Sequence, residues 1–368
     1  MNDTAKKNYR LCLVSDQLAT GGAERCSALL SNYFEKHNCD VYHVIVVDKI
    51  EYDYSGKVFN LGKLKNNSNG FFNRLKRFKA LKHFFATHEF DFIIDFRVKM
   101  NQWQEFYIAK FIYKSPLIIT VHSYMTNLYF PKNRYLANKI YSDSYKIITV
   151  SSKIEEKIKS NFPYSQLQTI YNPLDFDAIN EHANQAFKKD FEYILAVGRM
   201  NDDVKQFDQL IQSYSKSELP NQNIKLVFLG DGDLRSNYEL QAKQLGLENN
   251  IIFEGKVANP YQYMKNANCV VLCSKNEGFP TVLIESLACE TPVIAFDCFS
   301  GPSEIIQNNE NGMLVENQNF NQLIVAMNKM ISDTIFYLHC KQNAKSSVEA
   351  FSLKKIGNQW MQLFNSKS

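Results

Sequence analysis

The sequence predicts an α/β protein built from two doubly wound domains, each a parallel sheet with helices on both faces. Three observations predict it. Short apolar runs rich in β-branched residues alternate with longer amphipathic stretches, the pattern of repeated βαβ units. Such units give parallel sheets covered on both sides. The pattern runs twice, and 368 residues exceed the usual size of a single core. In the first half, strands are expected at Leu11–Ser15, Val41–Val47, Phe92–Asp95, Leu117–Val121 and Ile147–Val150. In the second half they are expected at Tyr193–Val197, Lys225–Leu229, Ile251–Phe253, Cys269–Leu272, Pro292–Ala295 and Met313–Val315. Between the halves, Tyr171-Asn172-Pro173-Leu174-Asp175 interrupts regular structure, because Pro173 lacks an N–H and restrains the residue before it. The expected domains are therefore 1–172 and 173–350. Residues 351–368 carry Ile356, Trp360 and Phe364 at helical spacing and are expected to form a helix packing back on the first domain.

Composition narrows the class. Hydrophobic residues make up 45% and charged residues 22%, a globular balance rather than a disordered one. A net charge of +4 is too small, averaged over the chain, to argue for nucleic acid. The eight cysteines lie mostly inside apolar runs such as Cys269-Val270-Val271-Leu272-Cys273, which reads as buried thiols in a reducing compartment. They lack the paired spacing and histidine partners of a zinc site. The start of the chain is polar and the apolar run after it stops at Val14, so neither a signal peptide nor a spanning helix is expected. The expected location is cytoplasmic, with any membrane contact peripheral.

Ligands of open parallel sheets bind beyond the carboxyl ends of the strands, so chemistry should follow strands directly. After the first strand, Gly21 and Gly22 form a strand-to-helix turn where backbone can approach an anion, without the third glycine of a dinucleotide fingerprint. His122 follows the Leu117–Val121 strand, placed to hydrogen-bond a sugar or move a proton, though a lone histidine serves equally as structure. Arg199, with Lys205 six positions on, follows the first strand of the second domain; a planar fork and a point charge suit a diphosphate. Asp231 and Asp233 flank Gly232 after a strand and read better as a turn with an N-cap aspartate than as metal ligands. Glu277 precedes Gly278-Phe279-Pro280, and Thr281, Val282 and the following apolar residues lead to Glu285. Proline is tolerated in a first helical turn, so this reads as the entry to a buried helix whose free N–H groups and positive dipole end suit a diphosphate. One carboxylate would then meet a sugar and the other a ribose. Residues 71–88 carry an apolar stripe that includes Phe71, Leu75, Phe78 and Phe85, surrounded by Arg74, Lys76, Arg77, Lys79 and Lys82. That pattern suits either an interfacial helix on anionic lipid or a sheet-covering helix with a basic face.

In this order, Gly198-Arg199 with Lys205, Gly230-Asp231-Gly232, Gly255, Ser274 to Pro280 with Glu285, and Thr291 to Ala295 resemble glycosyltransferase family 4, the retaining transferases of the GT-B fold. The resemblance spans nearly the whole chain and is strongest from Tyr193 to Ile306. It implies two Rossmann-like domains facing across a cleft and transfer of a sugar from a nucleotide-sugar, with no essential metal and no other cofactor. It also implies that Arg199 and Lys205 hold the donor diphosphate, Glu277 the transferred sugar, Glu285 the ribose, and the N–H groups around Gly278, Phe279, Thr281 and Val282 the phosphates. Gly21 and Gly22 match the family's glycine turn. His122 matches a family histidine beside the sugar, except that Ser123 stands where an aspartate often follows. The Gly-Ala-Glu-Arg turn and Ser300 to Glu304 look most like the branch that extends bacterial surface polysaccharides or lipopolysaccharide on lipid carriers. That branch implies a UDP-sugar donor of hexose or N-acetylhexosamine, a glycan or polyprenyl-diphosphate-linked acceptor, and peripheral contact with the anionic inner membrane through 71–88. A GDP-mannose-dependent transferase of the same family, a nucleotide-sugar epimerase and a non-catalytic sugar-binding protein remain as alternatives. The sugar, the linkage and the oligomeric state are not legible.

Overall fold

The structure, a computed structural model, describes residues 8–66, 70–162, 164 and 166–367; the polar start from Met1 to Lys7 lies outside them. The chain divides into two compact units, Met1–Pro173 with Leu353–Ser368, and Leu174–Ser352.

The first unit holds seven parallel strands: β1 (Arg10–Ser15), β2 (Asp40–Ile45), β3 (Lys57–Asn60), β4 (Phe92–Asp95), β5 (Leu117–Val121), β6 (Lys146–Thr149) and β7 (Leu167–Thr169), in the order β3-β2-β1-β4-β5-β6-β7. Strand periodicity sends alternate side chains to opposite faces, and both faces here are dry. Leu11 and Leu13 of β1 join Phe34, Phe92, Ile94 and Trp360 in one core, while Cys12 and Val14 join Phe84, Phe85, Ile93 and Ile108 in the other. The Leu353–Asn365 helix belongs to the first of these cores, where Phe364 lies 5.4 Å from Phe34, ring to ring. Gly357 makes that packing close: a Cβ there would lie 2.4 Å from the Tyr33 ring.

The second unit holds β8 (Tyr193–Val197), β9 (Lys225–Leu229), β10 (Ile251–Gly255), β11 (Cys269–Leu272), β12 (Val293–Phe296) and β13 (Gly312–Val315), in the order β10-β9-β8-β11-β12-β13 and all parallel. Both sheets reverse their strand order once, between β1 and β4 and between β8 and β11. Loops leaving the two strands at such a point diverge and leave a crevice.

The α/β class and the two parallel sheets agree with the sequence reading, but two strands were not foreseen. Both β3 and β7 lie on the edges of the first sheet. Their sequences, Lys-Val-Phe-Asn and Leu-Gln-Thr, are short and mix polar with apolar residues because an edge strand is only half covered. The second strand was drawn too long. The Val46 and Val47 N–H groups turn away to the Asp16 carbonyl at 3.1 and 2.8 Å. All eight cysteines are buried free thiols. Among the described residues no helix is long and apolar enough to cross a membrane.

Candidate functional site

In the second sheet the strand order reverses between β8 and β11, and the shape of the loops that follow these strands starts with missing side chains. Gly198 follows β8, and a Cβ there would lie 3.1 Å from Cγ and Cε of Lys205. The bare backbone lets the lysine stem lie across it. Gly230, after β9, has φ +133°, and a Cβ would lie 1.8 Å from the Gly198 carbonyl oxygen. Only glycine accepts both the angle and that approach. The Gly198 N–H donates to the Leu229 carbonyl at 2.9 Å and the Met200 N–H to that of Asp231 at 2.9 Å, which ties the two loops together.

Lys205 ends this loop, just before the Phe207–Ser215 helix, and its Nζ lies 2.6 Å from Oε1 of Glu277 in the loop after β11. Both side chains are largely covered, 18% and 14% exposed. Three further contacts clamp the loops: the Lys275 N–H to the Val204 carbonyl at 2.9 Å, the Cys273 thiol to the Lys205 carbonyl at 3.4 Å, and the Lys275 ammonium with the Asp203 carboxylate. The sequence reading put Lys205 and Glu277 at one site, and the fold brings them into contact. Arg199 is not part of that contact. Its side chain is 72% exposed, with Asp202 at 3.6 Å.

Beyond Glu277, the Gly278-Phe279-Pro280 loop is braced from below by the loop after β12. Ser300 Oγ donates to the Gly278 carbonyl at 2.8 Å, and Gly301, at φ +97°, sits where a Cβ would be 2.4 Å from Cδ of Pro280. The Phe279 ring meets Phe351 edge-on at 5.3 Å. The helix Thr281–Ala288 then begins with Pro280 at its N-cap, no side chain capping it and no acid in its first turn. Helix starts leave backbone N–H groups without intrahelical partners, and those of Thr281 and Val282 belong to that set. They form, with the dipole, an end suited to an anion. Glu285 lies in the second turn of this helix and is buried, 6% exposed.

The Asp231–Asp233 turn differs from expectation. Asp231 accepts from the Gly232 N–H at 2.9 Å, closing its own turn, and the following helix Arg235–Gln244 starts behind Leu234 with no side-chain cap. No aspartate caps that helix because its N-cap position falls on Leu234, one residue beyond Asp233.

In the first unit, Gly21 (φ +119°) is the N-cap of the helix Gly22–Lys36, again without a side-chain cap. Glu24 folds back over it, since a Cβ on Gly21 would lie 2.2 Å from Glu24 Oε2, whereas Gly22 has open space. A carboxylate thus already rests at this turn. His122 follows β5 with both ring nitrogens buried and without hydrogen-bond partners. Desolvation pushes its pKa down to about 3, so the ring is neutral and offers one donor and one acceptor to an incoming hydroxyl. Its backbone N–H donates to the Tyr129 hydroxyl at 3.2 Å.

One charged cluster escaped the sequence reading. At the end of β4, Arg97 lies 2.7 Å from Asp95 and 3.0 Å from Glu105, and Lys99 lies 2.5 Å from Asp95, all nearly buried. Burial opposes the Asp95 charge, but Arg97 and Lys99 outweigh it and hold the carboxyl well below the usual range. The signal available was local: Asp95-Phe96-Arg97-Val98-Lys99 sets three charges around the carboxyl end of an apolar strand.

The Phe71–Thr87 helix does not bear one continuous stripe. Leu81, Phe84 and Phe85 are core, whereas Phe71, Phe72 and Leu75 are exposed. Arg74, Lys76, Lys79 and Lys82 are exposed too, and Arg77 donates to the Val46 carbonyl at 2.8 Å.

Two family models match the chain: "Glycosyltransferase Family 4" over residues 20–178 and "Glycosyl transferases group 1" over residues 177–347. Among curated proteins, the chain is 31% identical to the Campylobacter jejuni N-acetylgalactosamine-N,N'-diacetylbacillosaminyl-diphospho-undecaprenol 4-alpha-N-acetylgalactosaminyltransferase, over 92% of this chain and 94% of that one. It is 28% identical to a second alpha-1,4-N-acetyl-D-galactosaminyltransferase of that organism, which acts on a GalNAc-containing diNAcBac-PP-undecaprenol, over 96% of this chain and 98% of that one. Among solved structures, a glycosyltransferase from Rickettsia africae superposes with a TM-score of 0.80 at 18% identity, covering 98% of this chain and 99% of that one. The Anabaena protein HepE, solved with UDP and glucose, gives a TM-score of 0.77 at 20% identity over 98% and 100%.

Proposed function

The chain belongs to glycosyltransferase family 4 and is a glycosyltransferase of the GT-B fold; from that premise we propose that it moves a hexose or N-acetylhexosamine from a UDP-sugar, with retention, to a lipid-linked glycan of bacterial surface-polysaccharide synthesis. The lipid-linked acceptor is supported by the curated relatives, whose names place their acceptors on undecaprenyl diphosphate. UDP is the nucleotide implied by the branch whose turns this sequence resembles.

The observation that carries the reading is the Lys205–Glu277 pair, 2.6 Å apart beside the uncapped start of the Thr281–Ala288 helix. In the proposed reaction the donor diphosphate lies against the Thr281 and Val282 N–H groups, with Lys205 and the exposed fork of Arg199 offsetting the charge it gains as it leaves. Glu277 takes hydroxyls of the transferred sugar and Glu285 those of the ribose. In the first unit the proposal assigns Gly21 and Gly22 to phosphate and His122 to a sugar hydroxyl. The bond from the anomeric carbon to the phosphate oxygen breaks and a bond to the acceptor oxygen forms on the same face. The acceptor proton passes to a donor phosphate oxygen, so neither a protein nucleophile nor a metal is required. The Phe71–Thr87 helix, with its exposed phenylalanines and cations, is proposed to meet anionic lipid where such acceptors reside.

The test is a thermal-shift panel of nucleotide-sugars followed by transfer to a polyprenyl-diphosphate-linked glycan. A donor present at a hundred times its dissociation constant stabilises by about 2.7 kcal/mol. Transfer only when acceptor is present supports the reading. Conversion of the donor with no acceptor present points instead to an epimerase.

A further inference from the structure

The Gln102–Tyr107 helix, which continues as a π-helical turn over Ile108–Ile112, is apolar on two opposite sides. Its inner side buries Ile108 and Ile112, together with Glu105 in its ion pair with Arg97. On its outer side Trp103, Tyr107 and Phe111 recur every fourth residue, Met100 stands in the loop before the Asn101 cap, and all four are exposed, Trp103 by 73%. A helix needs one apolar side to pack on a sheet, so the second side is unaccounted for by the fold. Exposed apolar residues occur singly on most surfaces, but a stripe of this length marks a docking site.

The stripe is continuous with the exposed end of the Phe71–Thr87 helix. Phe78 meets the Tyr107 ring at 5.3 Å, Tyr107 meets Phe111 at 5.1 Å, and Phe71 and Phe72 lie at the outer end of the same helix, Phe72 being 83% exposed. The charge around it is mainly positive, its exposed acid Asp143 being ion-paired with Lys110 of the same segment. The Phe71–Thr87 helix contains four exposed cations and no acid, Lys114 is exposed beyond Phe111, and the one carboxylate of the shorter helix, Glu105, is buried against Arg97.

We propose that the Met100–Phe111 stripe is a second membrane-docking element, which inserts Trp103 and Phe111 into the interface of an anionic bilayer beside the Phe71–Thr87 helix. Aromatic rings of this kind favour the headgroup level, and the cations around them favour anionic lipid. A second copy of the chain is a poor occupant, because the same face on both partners would bring the exposed cations together. The proposal rests on the lipid-linked acceptor reading for its purpose, but its test does not.

The chain has two tryptophans, and Trp360 is in the core at 2% exposure, so a change in emission on adding vesicles reports Trp103. The full-length protein is titrated with vesicles of phosphatidylcholine alone, of phosphatidylcholine with phosphatidylglycerol, and of the mixture with brominated chains. The expected result is a blue shift with the mixed vesicles, quenching by the brominated ones, and little of either with phosphatidylcholine alone. The Trp103→Ser, Phe111→Ser double variant, altered only at exposed positions, should melt like the parent and sediment with mixed vesicles about tenfold more weakly. Sedimentation with unchanged Trp103 emission would leave docking to Phe71 and Phe72 alone and overturn the proposal. A shift that grows with protein concentration in the absence of vesicles would also overturn it, by showing that a second copy covers the stripe. Transfer to a water-soluble acceptor analogue separates the two failures, since the double variant keeps it if only docking is lost, whereas a parent protein inactive with every donor fails the enzymatic reading.

Discussion

Replacing Lys205 by Met should weaken UDP binding, whereas replacing Glu277 by Gln should not. In the free protein the Lys205 ammonium is held 2.6 Å from Glu277, with side chains 18% and 14% exposed, so the pair is nearer a buried than a surface ion pair. Surface pairs couple by about 0.2–1 kcal/mol and breaking buried ones costs about 3–5 kcal/mol, which places this coupling at about 1–3 kcal/mol of stability. A donor diphosphate that binds Lys205 must draw it away from Glu277. Lys205→Met removes a charge-assisted hydrogen bond to that diphosphate, about 1.5–3 kcal/mol, and should weaken UDP roughly ten- to hundredfold. Glu277→Gln removes the competing carboxylate, so UDP should bind as tightly as before or severalfold more tightly. Transfer should nevertheless fall about a hundredfold, because the sugar loses its charged partner. Isothermal titration with UDP and steady-state transfer kinetics measure the two effects separately. If Glu277→Gln weakened UDP as much as Lys205→Met, or if it left transfer intact, the assignment of Glu277 to the sugar and Lys205 to the diphosphate would be refuted.

Glu285→Gln should instead raise the KM for the donor about tenfold with little change in kcat, the signature of lost ribose binding, read from initial rates at varied donor. Gly301→Ala should lower stability by about 1–3 kcal/mol and weaken UDP, since the new Cβ would lie 2.4 Å from the Pro280 ring that positions the helix start. Gly246→Ala, also at positive φ (+69°) but with nothing within 4 Å, should show the strain without the binding defect; melting curves with and without UDP compare them. Acid should destabilise the first unit through two histidines. Desolvation lowers His43 to about 4 and His122 to about 3 from 6.5, so the unfolded chain binds more protons than the folded one as pH falls below 6.5. Stability is therefore full above that pH and is lost at about 2 kcal/mol per histidine between pH 6.5 and 5, before most carboxylates titrate. Urea unfolding at several pH values should show this slope about halved in His43→Asn, and a flat profile over that window would contradict it.

What the sequence revealed depended on burial and on distance along the chain. Interior strands such as Phe92–Asp95 and Cys269–Leu272 were legible because a sheet covered on both faces needs uninterrupted apolar runs. The edge strands β3 and β7 were not, since one open side permits lysine, asparagine and glutamine. The start of the Thr281–Ala288 helix could be read from Phe279-Pro280 and the apolar residues after it, because those signals are local. The contact of Lys205 with Glu277 joins residues 72 apart, and only the neighbouring positions of β8 and β11 create it. The fold of Glu24 over Gly21 could not be inferred either, because a flexible side chain chooses among rotamers that sequence does not rank. The exposed side of the 100–111 segment was hidden for a related reason: periodicity marks apolar positions without saying which of two apolar sides is covered.

The Lys205–Glu277 pair also bears on the order of events, on the proposed assignment. Each side chain is the other's ionic partner before donor arrives, so the site carries no strong net charge for a stray phosphate or sugar to exploit. A diphosphate that takes Lys205 leaves Glu277 partly buried with its countercharge withdrawn, which is costly unless hydroxyls replace it. The sugar of an intact donor supplies them; UDP alone does not. The same argument requires that free sugar bind poorly, because it would meet a carboxylate already paired. Diphosphate and sugar recognition are thereby coupled through one ion pair, and intact donor should outbind UDP by more than contacts to the sugar alone would give. Glu277→Gln should remove that excess, narrowing the gap between the affinities of UDP and UDP-sugar, which titration of both ligands against the parent and the variant would measure.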